Sequence, residues 1–91
     1  MPILRIVHRH ADRATYEAVH RRLDLDCVHP LGLIMHGASE VDGRMQVAEI
    51  WESEQHARSF DEEQLEPALE ALGAPTDADV EVFELHHLVT P

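Results

Sequence analysis

Asp42-Gly43 divides two segments, Leu33–Ala38 and Met45–Glu52 (MQVAEIWE), in which apolar and polar residues alternate as they do in β-strands. Both residues of the pair tolerate positive φ, so they close a tight antiparallel hairpin. A short chain with a hairpin at its middle must arrange its other elements around it. Ile3 to His10 (ILRIVHRH) alternates and is rich in branched residues, which predicts a first strand. Asp12 can cap a helix, and Tyr16, Val19 and Leu23 recur at spacings of three and four, which predicts a helix over roughly residues 13–23. His29-Pro30 and Gly32 break the chain before the hairpin. Ser53 caps a short helix over residues 54–60, and Asp61 with Gln64 is expected to form a second capping box. Leu65, Leu69 and Leu72 make an apolar stripe closed by Gly73 and Pro75, with a break at Pro67. Val80 to Val89 is the fourth strand. The order β-α-β-β-α-β predicts an α+β, ferredoxin-like single domain over residues 1–91 with a four-stranded antiparallel sheet.

Composition removes several function classes. The net charge of −11 falls unevenly: residues 1–48 hold six acids and six arginines, residues 49–91 twelve acids and only Arg58. Nucleic acid is not an expected partner, because binding it needs a basic face. The chain has no lysine, which excludes Schiff-base chemistry and a pyridoxal phosphate anchor. It lacks the glycine-rich signatures of nucleotide sites. No apolar run reaches the roughly 18 residues of a membrane span, and no signal peptide is visible, so the expected setting is cytoplasmic. Cys27 stands alone, without a partner for a disulfide or an evident base for a catalytic thiol. His8 and His10 share a strand face but lack a third ligand, so no metal site is expected.

Parity splits each strand into two faces. One set is apolar: Leu4, Ile6, Ala48, Ile50, Phe83 and Leu85. It is assigned to the face beneath the helices. The other set is mixed: Ile3, Arg5 and Val7; Ile34, His36 and Ala38; Val47, Glu49 and Trp51; Val82, Glu84 and His86. This set is expected on the face that the helices leave bare, where it resembles a cavity wall with convergent polar groups. His86 and His87 point opposite ways, so one cavity holds only the first.

Three segments carry a family resemblance: GLIMHGASEVDGRMQVAEIWES (Gly32–Ser53), F-x4-L-x-P-A-L (Phe60–Leu69) and VEVFELHHLV (Val80–Val89). Together they resemble the dimeric α/β-barrel superfamily, and within it the small antibiotic-biosynthesis-monooxygenase-like proteins. The resemblance implies a homodimer whose two sheets meet through their bare faces to form a barrel. It also implies a cofactor-independent monooxygenase-like activity on a flat, apolar, aromatic or polyketide-like small molecule. The alternative is a non-catalytic dimer holding a small hydrophobic ligand, or haem through His86 or His36. The quinone-forming and haem-degrading members use an asparagine with a tryptophan. This chain has Trp51 but no asparagine, so neither mechanism transfers residue by residue.

The expected catalytic residues are His36 and His86, either of which can remove a phenolic or enolic proton near neutral pH. Trp51 is expected to stack on the substrate. Arg5, Glu49 and Glu84 are expected to bind substrate or fix the pocket as an ion network, with Arg5 available to stabilise an anion. Tyr16 is read as helix packing, with its hydroxyl reaching the pocket as the lesser reading.

Overall fold

A computed structural model describes residues 1–89. The chain runs β1 (Ile3–Arg9), α1 (Arg13–Leu23), β2 (Leu33–Val41), β3 (Arg44–Trp51), α2 (Glu54–Phe60), a π-helical turn over Asp61–Leu65, α3 (Glu66–Ala71) and β4 (Ala78–Glu84). The strands form one sheet in the order β2-β3-β1-β4. Every neighbouring pair is antiparallel. This is the predicted ferredoxin-like α+β plan.

Local chemistry explains the element ends. Asp42 and Gly43 have φ of 52° and 78°, the left-handed pair that a two-residue hairpin needs. The Thr15 N–H donates to Asp12 Oδ1 at 2.9 Å, which caps α1. The His56 N–H donates to Ser53 Oγ at 3.2 Å and caps α2. Asp61 starts no new helix. The chain continues helically through it, and the Glu66 N–H reaches back to the Asp61 carbonyl. That five-residue step precedes Pro67, whose ring would collide with the carbonyl four residues earlier in a regular α-helix. The wider turn is therefore the form taken by the predicted break. β4 ends at Glu84, five residues short of the expected Val89; the Leu85 N–H still pairs with the Pro2 carbonyl at 3.0 Å.

The two sheet faces are the reverse of the assignment made from hydropathy. The helices cover the mixed set on the two central strands, where Ile3, Arg5, Val7, Val47, Glu49 and Trp51 are all buried, while Ala38, Val82, Glu84 and His86 toward the sheet edges stay exposed. Trp51 is 0% exposed and packs with Ile3, Ala57 and Phe60. A second cluster of Val19, Ala68 and Leu69 joins α1 to α3. The apolar set lies on the uncovered face, where Leu4, Ile6 and Ile50 are half-buried and Met35 and Phe83 are 53% and 48% exposed. Hydropathy alone makes the more apolar face the core, yet Arg5 is tolerated under the helices because Asp61, on the helical layer, supplies its counter-charge.

Gly32 and Gly43 separate two costs. Each has positive φ (86° and 78°), but a Cβ on Gly32 would lie 2.4 Å from His56 Cγ, whereas nothing stands within 4 Å of one on Gly43. Gly43→Ala is expected to lose about 1 kcal/mol from backbone strain alone. Gly32→Ala should lose at least about twice that, because α2 must also shift. Urea-denaturation midpoints of the two variants check the difference.

Candidate functional site

A cavity of about 100 Å³ lies between the helices and the sheet. Its walls are mostly apolar, with Val47, Trp51, Phe60 and Leu65 among them, and Tyr16, His36 and Glu49 bring polar groups to it. The pairing of β2 with β3 sets His36 opposite Glu49, and Trp51 lies two residues further along the same face. Tyr16 arrives from α1, one turn before His20. A bulge between Leu33 and Met35 restores the parity that points His36 inward.

These groups form a continuous chain of contacts. The Tyr16 hydroxyl lies 2.8 Å from His36 Nε2. His36 Nδ1 faces Glu49 Oε2 at 3.5 Å. Glu49 Oε1 accepts from Trp51 Nε1 at 3.1 Å and from Arg5 Nε at 2.8 Å. Arg5 then donates to both oxygens of Asp61, at 2.6 and 3.0 Å. Its guanidinium also sits 5.8 Å from the centroid of the Trp51 ring. Among the described residues no buried side-chain polar atom lacks a partner.

The electrostatics set the direction of the chain. Burial works against the charge of Glu49, but the His36 hydrogen bond, the Arg5 charge and the Trp51 indole N–H together hold its carboxyl below the usual range. Burial, with the charges of Asp26 and Glu49, pushes the Tyr16 phenol up, so it remains an O–H donor. Burial also opposes the charge of Arg5, and the Asp61 hydrogen bond with the Glu49 and Asp61 charges overcomes it and raises the guanidinium. An ionised Glu49 accepts only, so the proton facing it belongs on His36 Nδ1. That leaves Nε2 as the acceptor of the Tyr16 hydroxyl.

The expected site residues divide accordingly. His36, Glu49 and Trp51 come together around the cavity. Arg5 stands behind them, its donors directed to Glu49 and Asp61 rather than to a ligand. Glu84 is exposed at the end of the edge strand, and His86 lies beyond that strand in an exposed bend; neither lines the cavity. The strand that was expected to carry His86 inward ends two residues before it. Two residues have a larger place than the sequence reading gives them. Tyr16 contributes its hydroxyl through the lesser reading, at one spacing of the α1 stripe. Asp61 was read as a cap, although its position after Phe60 puts it against the sheet.

Glu49 makes stability pH-dependent. A carboxyl depressed in the folded state stabilises the fold fully above its unfolded value near 4.5, and that stabilisation is lost as pH falls through the lower folded value. Urea unfolding at pH 7 and pH 4 should therefore show an acid loss, and Glu49→Gln should flatten it. At pH 7 Glu49→Gln should itself lose about 3 kcal/mol, because Arg5 keeps only one of its two anionic partners.

No protein-family model matches this chain, and no curated protein matches it. Its fold is found whole in solved structures. The NE2512 protein of unknown function from Nitrosomonas europaea has a TM-score of 0.70 at 16% identity, over 99% of this chain and 93% of that one. A variant of MhuD with two manganese protoporphyrin IX molecules bound per active site has a TM-score of 0.61 at 17% identity, over 98% and 99%. SnoaB, a cofactor-independent oxygenase from Streptomyces nogalater, has a TM-score of 0.60 at 16% identity, over 99% and 96%. At such identities the likeness is one of architecture: this chain has the fold of the antibiotic-biosynthesis-monooxygenase-like proteins.

Proposed function

We propose that this protein is a homodimeric, cofactor-independent monooxygenase-like enzyme acting on a flat, apolar small molecule with an acidic hydroxyl. The observation that carries the reading is the Tyr16–His36–Glu49 chain opening on an otherwise apolar cavity. Glu49 holds His36 in the tautomer whose Nε2 accepts a proton and stabilises the imidazolium that results, the logic of an oriented general base. Trp51 offers the flat wall. Deprotonation of a phenol at Nε2 makes an electron-rich anion able to react with dioxygen as co-substrate. The substrate supplies all four electrons. One oxygen atom becomes a ring carbonyl, and the other leaves as water with the hydroxyl hydrogen and the ring hydrogen. The likeness in fold to SnoaB supports this reading.

Haem, suggested by the likeness to MhuD, does not fit these residues. His86 lies outside the cavity, and about 100 Å³ between core side chains such as Trp51 and Phe60 is far below the volume of a porphyrin. The dimer is supported by the uncovered face, where Leu4, Ile6, Ile50 and Phe83 offer an apolar surface that a second sheet would bury. Ile50→Asp should turn a dimer into a monomer in sedimentation, with little change in far-ultraviolet circular dichroism.

Catalysis is tested by mass spectrometry of products formed from phenol and 1-naphthol under ¹⁸O₂. The wild type should place one labelled atom in the product of at least one of them, above the autoxidation rate. His36→Ala should lower that rate by about 10²–10⁴-fold. An undiminished rate in His36→Ala would remove His36 as the base. Saturable binding without incorporation would favour the non-catalytic ligand-binding reading.

A further inference from the structure

The dimensions and the charge of the cavity restrict the ligand further. Resting on the function proposed above, we propose that the ligand is a single ring carrying one acidic hydroxyl, and that this hydroxyl takes the place of the Tyr16 hydroxyl on His36 Nε2. The first argument is volume. The cavity measures about 100 Å³. An apolar cavity of about 150 Å³ in another protein is enough for benzene, and drug-sized molecules occupy pockets of about 300–1,000 Å³. A modest widening therefore admits one ring. Widening for two or three fused rings would have to displace Trp51 (0% exposed), Phe60 (7%) or Leu69 (3%), which are the core that joins helices to sheet.

The second argument is where the widening can occur. Tyr16 is half-buried on α1, and the His36 side chain is 23% exposed. Their rings stack at 6.1 Å with 6° between planes, held by one hydrogen bond of 2.8 Å. Rotation of Tyr16 away from His36 frees volume and an acceptor together, at the cost of that single bond. A ligand hydroxyl restores it, so the exchange conserves the hydrogen-bond count.

The third argument is charge. Glu49 lines the cavity as a carboxylate whose balancing cation, Arg5, is directed to Glu49 and Asp61. Arg9, also on the cavity wall, keeps its charge while one nitrogen donates to the Thr76 carbonyl at 3.1 Å, but it stands four β1 residues beyond Arg5, the strand partner of Glu49. The end of the cavity that holds His36 therefore repels a carboxylate and accepts a neutral hydroxyl, which gives up its proton only as His36 takes it.

Trp51 is the only tryptophan, so its indole N–H gives one cross-peak in a ¹H–¹⁵N spectrum and reports on the cavity directly. The probes are phenol, toluene, benzoate, 2-naphthol and 9-phenanthrol, titrated into the ¹⁵N-labelled full chain. Phenol should shift the indole peak saturably and bind about threefold to tenfold more tightly than toluene, the difference that one net hydrogen bond supplies. Benzoate and the fused-ring phenols should leave the peak in place. Tyr16→Phe should tighten phenol by a similar factor, because the competing hydroxyl is gone, and His36→Ala should abolish the preference for phenol over toluene. Tighter binding of 2-naphthol or 9-phenanthrol than of phenol overturns the single-ring limit while leaving the function proposed above intact, and tighter binding of benzoate overturns the argument from charge. Weaker phenol binding in Tyr16→Phe overturns the displacement of Tyr16. A peak that no probe shifts overturns the site itself.

Discussion

The buried ion network of Arg5, Glu49 and Asp61 is the interaction on which the rest of this small protein depends. Arg5 belongs to β1, Glu49 to β3 and Asp61 to the helical layer, so three separate elements share one set of hydrogen bonds. A buried guanidinium without partners would be costly; with two carboxylates around it, each group satisfies the others. The arrangement is directional as well as neutralising. Arg5 occupies one oxygen of Glu49 and turns the other toward His36. A group directed away from the cavity thereby orients the carboxylate oxygen that faces His36 Nδ1.

Trp51 is bound into the same network from the side. Its indole donates to Glu49, its ring lies against Phe60 at 5.5 Å between centroids, and Arg5 approaches its face. The one residue is core, hydrogen-bond donor and cavity wall at once. In a chain of 91 residues, with little interior to divide, stability and site geometry draw on the same side chains. Substitutions here therefore act on both the fold and the cavity.

Much of this was legible in the residues. Strand parity, the Asp42-Gly43 turn and the caps at Asp12 and Ser53 specify the elements, because each rests on short-range stereochemistry. Parity also placed Arg5, Glu49, Trp51 and His36 together correctly. What it did not supply was which face the helices cover. Hydropathy ranks faces by apolar content, and an apolar face is what either a helix layer or a second sheet requires. The deciding fact was a long-range pairing, Arg5 with Asp61, which no local pattern encodes. His86 failed for a simpler reason: alternation continues past Glu84 in the sequence, but strand pairing does not. A further signal lay in the F-x4-L segment, which carried resemblance but was not used to place side chains. Phe60 and Leu65 both face the cavity although they are five residues apart, a spacing that no α-helical stripe provides.

The π-helical turn at Asp61–Leu65 accounts for that spacing, and it works as a phase shifter. Each residue of an α-helix advances the facing direction by about 100°. The inward positions Ala57 and Phe60 would be continued in an unbroken α-helix by Gln64, which is exposed. One additional residue in the turn carries the stripe instead to Leu65, Ala68 and Leu69, the side chains that meet the cavity and α1. Loss of a single residue from this turn would leave every side chain of α3 chemically unchanged and rotate the whole segment by about a quarter of a turn. The apolar edge of the helix would then face water and its glutamates the interior, so the segment tolerates substitution far better than it tolerates a change in length.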